Sequence, residues 1–439
     1  MKKLKRYYLD FSRMKFLFKI SLIIIFSLCI NESKANTLFD SINSAYLNNP
    51  KLNAERANKR ASMEEKREAI SEFLPSVTIS AYESEQDNTG GSESNFEPSE
   101  QSMKIEQKIF QGFGGIANLK KKKYGYNIAE FKLKKIEQET LLAAAEVHAN
   151  LLLSRKKMNI NLINIDLLER QVENDQNRLE KGEINLTDLA QSESSLLGAK
   201  AQLIAAQNDL VTSKANFEKI IGRKAPENIQ EIRKINLNLP MSLSAAYKIS
   251  NSENPDLQIA SLEFEQSKLD VITARSDLSP SATLSYKIAE QDDISSTVQD
   301  RTQQTVTATA TWPLFSGGSN IFNLRKVQEL KNQKELLLED SKKRIEIDVA
   351  KAWSNYQSSK SVLDSIRSQV KAAEIANEGI TLEYESGNNR TTLEVIQSRT
   401  ILLDSRISLA SSEKNFLISR FSLLSAVGRL TASHLNLKQ

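Results

Sequence analysis

Apolar and polar residues alternate strictly in four segments of the chain. In the first segment Val77, Ile79 and Ala81 alternate with serines and a threonine. A period of two residues is typical of a strand with one apolar and one polar face. The predicted strands cover about residues 75–86, 99–110, 280–291 and 303–315. Their length of about 10 to 12 residues suits a tilted membrane-spanning strand, although a soluble sheet with one wet face would alternate in the same way.

After each pair of strands the pattern changes to a helical period. Residues 115–181 and 318–386 contain no proline, and each segment would extend roughly 100 Å as a helix. Heptad-spaced apolar residues follow and predict return helices over 187–221 and 391–427. The first heptad set is Leu189, Leu196, Leu203, Leu210 and Phe217, and the second is Val395, Leu402, Leu409, Phe416 and Leu423. A seven-residue spacing imposes left-handed supercoiling, so each long helix should pair with its return helix as an antiparallel coiled coil.

The apolar surface of the return helices is wider than one coiled-coil seam. Leu197, Ile204 and Val211 lie one residue beyond members of the first heptad set, while small residues such as Ser192 and Ala199 follow the large ones by three positions. A helix in the wall of a cylinder has a neighbour on each side, which explains the width. A plain antiparallel coiled-coil hairpin is the alternative interpretation of the heptads alone.

The same order of elements occurs twice along the chain. The offset is 205 residues for three pairs of landmarks, Pro50 and Pro255, Phe110 and Phe315, and Gly182 and Gly387. It is 206 residues for Gly222 and Gly428. Residues 36–223 and 242–430 are therefore interpreted as two copies of one unit, with a linker at 224–241 and a tail at 431–439.

The first 35 residues have a pattern that is typical of an export signal. Seven basic residues precede or enter an apolar run that ends at Ile30, and small residues at positions −3 and −1 indicate cleavage after Ala35. We therefore expect residues 1–35 to be a cleavable signal peptide, with translation starting at Met1 or Met14. A membrane anchor is the alternative, but the uncharged run is shorter than the roughly 20 residues that span a bilayer.

The basic balance of the chain depends on this segment. The chain has a formal net charge of +4, and residues 1–35 contain eight basic and two acidic residues. The remainder has a net charge of about −2, which gives no reason to expect a nucleic-acid partner. Cys29 is the only cysteine, and the large Leu28 before it disfavours lipid attachment. The mature chain should therefore contain no disulfide.

Two hairpins per chain cannot close a barrel on their own. Unpaired backbone groups at a sheet edge cost several kcal/mol each in lipid. Three copies would supply twelve strands, an even number that can close. The predicted fold class is therefore mainly α with membrane β. It consists of a tandem-repeat protomer with four strands and long antiparallel coiled-coil helices, trimerising into a twelve-stranded outer-membrane β-barrel and a periplasmic α-helical barrel.

This combination resembles the TolC-like family of outer-membrane efflux proteins over residues 37–430. The resemblance rests on the duplicated proline and glycine frame, on the strand-to-helix joint from Trp312 to Gly318, and on the segments that begin at Gly182 and Gly387. It implies a homotrimer that is not an enzyme, has no cofactor and contacts outer-membrane lipid. It also implies a passive, gated exit duct in a tripartite efflux pump or a type I secretion system. A periplasmic adaptor would link it to an inner-membrane pump or ABC transporter.

The resemblance places a gate at the two turns between the long and return helices. Arg390 and Tyr384 would bond to neighbouring helices and hold the tip shut. Gln397 departs from a family position that is acidic, so one of two expected carboxylate rings would be missing. The residues implied for the gate and selectivity are Asp188, Tyr384, Arg390, Glu394 and Gln397, and the adaptor-docking tips are marked by Gly182 and Gly387.

Two of these acids also have a purely structural interpretation. Thr391 to Glu394 has the spacing of a capping box, with threonine at the N-cap and glutamate at N3. Asp188 near a helix start would favour the helix dipole. If Glu394 instead lines the constriction, a ring of three carboxylates would favour cations in the pore.

Other kinds of chemistry have little support. His148 and His434 are far apart and lack cysteine partners, which argues against a metal or a histidine-based catalytic centre. The glycines at 112–115 and 317–318 lack the Lys-Ser/Thr of a phosphate loop and should permit a sharp joint. The lysines at 120–123 indicate a solvated helix face or a contact to anionic head groups. A structural coiled-coil protein such as a periplasmic adaptor is the alternative to a duct, although adaptors do not consist of two tandem units.

Overall fold

The structure is a computed structural model of the 439-residue chain. It describes residues 37–85, 97–231, 235–295, 298–386 and 390–437. The predicted signal peptide at 1–35, including Cys29, lies outside the described residues, as does Gly387.

Within the described ranges, both repeats have the same order of elements. Repeat 1 contains α1 (Leu38–Asn48), α2 (Pro50–Ser71), β1 (Ser76–Glu83), β2 (Ser99–Gln111), α3 (Gly114–Glu180) and α4 (Leu186–Ile221). Repeat 2 contains α5 (Leu243–Glu253), α6 (Pro255–Ser276), β3 (Ser281–Ser295), β4 (Val298–Thr311), α7 (Ser319–Glu385) and α8 (Thr392–Ala426). The prediction of a mainly α, tandem-repeat chain with four antiparallel strands is confirmed. The periodicity of the sequence did not predict the short helices α1 and α5 as separate elements.

The strand ends differ from the predicted ones for identifiable reasons. β4 ends at Thr311 rather than about residue 315, because Pro313 has no N–H group to donate to a ladder. β3 continues to Ser295, beyond the predicted end at 291, because Gln291 and the residue after it still pair with β4. The polar side chains at these positions interrupt the alternation but not the backbone pairing.

Equivalent asparagines start α2 and α6. The side-chain oxygens of Asn49 and Asn254 each accept hydrogen bonds from two N–H groups of the first helical turn. Their amide groups donate to the carbonyls of Ile220 (3.3 Å) and Ala426 (2.9 Å), at the ends of the return helices. Each asparagine therefore caps one helix start and one helix end, so the duplication includes individual hydrogen bonds.

The strands form one antiparallel sheet in the order β1-β2-β3-β4. One row across it contains Val77, Ile105, Tyr286 and Val306, and the next row contains Thr78, Lys104, Lys287 and Thr305. Successive side chains point to opposite faces, so the sheet has an apolar and a polar face. On the polar face Lys104 and Lys287 lie directly opposite each other, but each pairs with its own glutamate. Lys287 bonds to Glu100 (2.5 Å) and Lys104 bonds to Glu106.

Glycines permit the sharp turn from strand to helix in both repeats. Gly112 has a φ of +54°, and Gly317 and Gly318 have φ values of +63° and +82°. A Cβ atom on Gly112 would lie 2.5 Å from the Cβ atom of Ser279, just after the end of α6. A larger residue at this position would therefore also collide with that segment. These glycines therefore set the angle between the sheet and the long helices.

Each long helix packs along its return helix, α3 with α4 and α7 with α8. Because α3 also packs against α8, the helices near the turns lie in the order α4, α3, α8, α7. Nearer the sheet, α2 and α6 take the places of the return helices beside α3 and α7. Equivalent serine pairs lie within each coiled coil, Ser154 with Ser213 and Ser359 with Ser419, both at 2.7 Å. Small residues thus allow the close helix approach that the heptads predicted.

An additional layer covers the helices about midway along α3. The linker and tail bury Leu237 and Leu435 against a core that includes Phe217 of α4 and Phe421 of α8. Lys156 of α3 bridges Glu231 of the linker (3.1 Å) and Glu413 of α8 (3.0 Å). The linker is therefore bound to both repeats.

The lysines at 120–123 partly serve to join helices. Lys121 pairs with Asp270 of α6 (2.5 Å), and Lys122 pairs with Glu65 of α2 (3.0 Å).

None of the helices in the described ranges combines the length and apolar character that a bilayer span requires. Those ranges also contain no group of His, Cys, Asp and Glu side chains that could hold a metal ion.

Candidate functional site at the helical tips

The ends of the long helices and the starts of the return helices form the tips of the two coiled coils. Gly182 has a φ of +74°, and its N–H donates to the Leu179 carbonyl at 2.9 Å, which ends α3. Asn185 caps α4 three residues later, and Thr391 caps α8 in the second repeat. Gly182 therefore lies in a turn that requires its left-handed conformation.

Asp188 and Glu394 occupy the same place, position N3 of a capping box. Asn185 accepts a bond from the Asp188 N–H (3.0 Å), and the Asp188 carboxylate accepts one from the Asn185 N–H (3.3 Å). Thr391 and Glu394 exchange the equivalent bonds at 3.3 and 2.8 Å. Both acids therefore satisfy donors at a helix start, and the capping box predicted for Glu394 occurs at Asp188 as well, where only a favourable interaction with the helix dipole was predicted.

Arg390 lies beside the second capping box and joins its two flanking helices. Its Nε donates to Glu383 at the end of α7 (2.6 Å), and its Nη1 donates to Glu394 of α8 (2.9 Å). The bond from the Thr391 N–H and the Arg390 charge together lower the pKa of Glu394. Both partners of Arg390 lie in its own coiled coil, so within one protomer it does not tie the two coiled coils together.

Tyr384 and Asp175 do make that tie. The Tyr384 hydroxyl donates to Asp175 Oδ1 on α3 at 2.8 Å and lies 3.0 Å from the Thr392 hydroxyl on α8. Asp175 is fully buried and also accepts bonds from Gln171 (2.9 Å) and Ser192 (2.5 Å). Four helices, α3, α4, α7 and α8, therefore contribute to one buried polar cluster. We call Asp175, Gln171, Ser192, Tyr384 and Thr392 the inter-coil cluster.

The surroundings of Tyr384 keep its hydroxyl a donor. The side chain is only 3% exposed, and burial raises the pKa of its phenol. The Arg178 guanidinium lies over the Tyr384 ring, 4.4 Å from its centre, and pairs with Glu183 at 3.1 Å. A neutral phenol that donates to a buried carboxylate makes a charge-assisted bond, stronger than one between neutral groups.

The remaining predicted residues are not brought into this cluster. Gln397 is exposed on α8. Asp188 lies at the tip of the first coiled coil, and its side-chain bonds to described residues all lie within its capping box. The structure thus gathers Arg390 and Glu394 at one turn, places Tyr384 in the inter-coil cluster, and leaves Asp188 at the other turn.

The resemblance did not identify Asp175, although the sequence contains a signal for it. Buried α3 residues at helical spacing, Ile165 and Leu168, are followed on the same face by Gln171 and Asp175. An apolar stripe that turns polar just before a tip predicts a buried polar contact. Its partner Tyr384 lies 209 residues away, so no local pattern could have named the pair.

Comparison with known proteins agrees with this architecture. A family model described as "Outer membrane efflux protein" matches residues 41–223 and 246–429, one match per repeat. Outer membrane efflux protein BepC of Brucella suis is 25% identical over 405 residues, covering 92% of this chain and 88% of that protein. Outer membrane protein TolC of Escherichia coli is 23% identical over 423 residues, covering 92% and 84%.

Solved structures show the same fold. The Campylobacter jejuni CmeC outer membrane channel superposes with a TM-score of 0.81 at 14% identity, covering 90% of this chain and 86% of that one. The open-state MtrE outer membrane channel of Neisseria gonorrhoeae superposes with a TM-score of 0.76 at 16% identity, covering 90% of both chains. The resemblance predicted from the residues is confirmed, and the chain belongs to the outer membrane efflux protein family.

Proposed function

We propose that three copies of this chain assemble into a passive, gated duct that crosses the outer membrane as a β-barrel and the periplasm as a helical tunnel. A periplasmic adaptor would dock at the tips and link the duct to an inner-membrane pump or ABC transporter. The segment 1–35 would direct export and be removed. One observation carries the proposal: in the described part of the chain, the protomer has two sheet edges without a partner strand and two exposed, uncharged helix stripes, all of which further copies could cover.

The sheet edges are β1 and β4, and in the described part of the chain each pairs with a neighbouring strand on one side only. Lipid cannot supply hydrogen bonds to such edges, so a membrane sheet must close. Pairing β1 of one copy with β4 of the next closes a ring of twelve strands from three copies. The apolar face, with Val77 and Val306, would then meet lipid, and the polar face would line a water-filled lumen.

The free helices near the tips are α4 and α7, at opposite ends of the row. Leu197, Ile204 and Val211 on α4 are 67, 61 and 66% exposed. Ala190, Ser194, Ala201, Asn208 and Ala215 continue this uncharged stripe at steps of three and four residues. On α7 a similar uncharged stripe contains Ser361, Ser365, Ser368, Ala372, Ile375, Gly379 and Leu382.

These two stripes suit a head-to-tail contact between copies. Each has the heptad spacing of a coiled-coil seam, and each offers small residues that allow close approach. A contact between two different faces of the protomer closes into a ring when the rotation per copy permits it. Three duplicated chains would form a pseudo-sixfold wall, in which every helix has a neighbouring helix on both sides.

The tips would provide the gate. The inter-coil cluster holds the α7/α8 coiled coil against the α3/α4 coiled coil, so breaking its bonds would free one from the other. Arg390 would fix the second turn through Glu383 and Glu394, which lie on either side of it. Asp188 and Glu394 would supply carboxylates at the constriction, Gln397 would be a neutral position there, and the turns at Gly182 and Gly387 would face the adaptor.

Fractionation and mass measurement test the assembly. The full-length chain should be found in the outer-membrane fraction, and the detergent-extracted protein should have three times the mass of the mature chain. Recovery in the periplasmic fraction as a monomer would contradict the proposal and favour a structural coiled-coil protein instead.

A further inference from the structure

Arg399 of α8 has an unusual environment beside the inter-coil cluster. Its half-buried guanidinium points at α3, where Nη1 donates to the Leu167 carbonyl at 3.2 Å. Its Nε is buried and has no acceptor among the described residues. It also forms no ion pair with a carboxylate in those ranges, although Asp175 and Glu385 are near enough to attract its charge. The guanidinium therefore loses part of its hydration and receives one hydrogen bond from the described residues in exchange.

The single bond that Arg399 makes adds little stability. Leu167 lies inside α3, so its carbonyl already accepts the N–H four residues further along the helix. Burial lowers the pKa of the Arg399 guanidinium, which indicates that its charge is disfavoured there. A buried donor without an acceptor loses its hydration and receives nothing in exchange, and a buried charge loses more.

Arg399 and the cluster act at adjacent levels of one helix face. Thr392 and Arg399 are seven residues apart on α8, about 10 Å along the axis, and both face α3. At the level of Thr392 the Tyr384 hydroxyl bonds to both Thr392 and Asp175. At the level of Arg399 the contact between the coiled coils contains an unsatisfied cation. The same interface thus contains a well-bonded contact at Tyr384 and, one level away, a guanidinium with a buried donor that lacks an acceptor among the described residues.

We propose that Arg399 is a positioning residue that opposes closure of the tip and so keeps the gate poised to open. Separation of α8 from α3 would hydrate the guanidinium and would release Asp175 from Tyr384, leaving that carboxylate free to pair with Arg399. This inference rests on the proposed gate. In it, Tyr384 stabilises the closed tip, whereas Arg399 destabilises it.

The test compares Arg399→Met with a matched control on the same helix. Methionine keeps the length of the side chain and removes both the charge and the orphaned donor, while the Leu167 carbonyl keeps its helical bond. Arg406→Met is the control, because Arg406 lies seven residues further along α8 and makes an exposed ion pair with Glu374 at 2.9 Å. Both changes are made in a Tyr384→Phe trimer, whose gate is weakened, and conductance is measured in planar bilayers.

Arg399→Met should reduce the open fraction of the Tyr384→Phe trimer about tenfold. It should also raise the temperature at which the trimer dissociates, whereas Arg406→Met should change neither quantity. An increased or unchanged open fraction would overturn the inference, and so would a variant that fails to assemble, since Arg399 would then stabilise the closed form. A Tyr384→Phe trimer that never conducts would instead refute the proposed duct, and this inference with it.

Discussion

The hydroxyl of Tyr384 donates a 2.8 Å hydrogen bond to the carboxylate of Asp175, 209 residues earlier in the chain. This bond crosses from the second repeat to the first at a fully buried position. The two coiled coils are also joined by the packing of α3 on α8, by the Arg178 guanidinium over the Tyr384 ring, and by the bond from Arg399 to the Leu167 carbonyl. The bond is therefore the natural point at which one coiled coil could be released from the other.

Replacing Tyr384 with phenylalanine should open the tip. The change removes one donor from a buried carboxylate, a loss of about 1–3 kcal/mol for a charged acceptor. Conductance of single trimers in planar bilayers should rise several-fold. Tyr356→Phe is the matched control, because Tyr356 lies on the same helix and stacks on Phe416 without joining the coiled coils. Equal conductance in the two variants would exclude Tyr384 from the gate.

Arg390→Ser should also raise conductance, but by less than Tyr384→Phe. Both ion pairs of Arg390 are exposed and lie within one coiled coil, and exposed pairs contribute little because water screens the charges. Arg367→Ser is a suitable control, since Arg367 makes an exposed pair with Asp364 within α7. If Arg390→Ser behaves like this control, Arg390 has no part in the gate.

A charge on the exposed stripe of α4 should prevent assembly. Ile204→Glu places a carboxylate where the proposed neighbour packs, and burying an unpaired charge is strongly unfavourable. The detergent-extracted variant should be largely monomeric by mass. Gln207→Glu is the control, because Gln207 is exposed on the same helix at the heptad position that already contains Lys200 and Lys214. A stable Ile204→Glu trimer would show that this stripe is not the contact between copies.

His148 should make the protein less stable in acid. It is fully buried beside Ser41, whose hydroxyl lies 2.9 Å from Nδ1, and burial with the charge of Arg223 lowers its pKa to about 4, against a smaller opposing effect of Asp40. The unfolded chain takes up this proton near pH 6.5, whereas the folded chain does so only near pH 4.

The contribution of His148 is therefore complete above pH 6.5 and is lost as the pH falls towards 4, by about 3 kcal/mol in total. Thermal unfolding of wild type and His148→Gln between these pH values measures it. The fall in unfolding temperature with decreasing pH should be shallower in the variant. Identical slopes would mean that another group causes the acid sensitivity.

Periodicity was sufficient to predict most of the fold. The long helices α3 and α7 end within one residue of the predicted limits. A glycine, which disfavours helix continuation, follows each helix end by two residues, at Gly182 and Gly387. The capping box at Thr391 and Glu394 is local in sequence, so its spacing alone identified it. Strand ends were harder to predict, because pairing across β3 and β4 continues through polar residues such as Asp292 that interrupt the pattern.

The site was only partly predictable because its contacts are not local. The prediction that Arg390 bonds to neighbouring helices does not specify which helices, and its partners Glu383 and Glu394 lie on α7 and α8 of one coiled coil. Asp175 and Arg399 make their contacts across the two repeats, and their importance depends on burial that only packing creates. Residues of this kind require the three-dimensional arrangement of the duplicated units.

The most direct test of the account is ion conductance of the purified assembly in planar lipid bilayers. The wild-type trimer should insert and conduct in small, uniform steps, and Tyr384→Phe should increase the step size or the open fraction. A trimer that inserts but never conducts, even with the Tyr384 to Asp175 bond removed, would contradict the claim that this chain forms a gated duct.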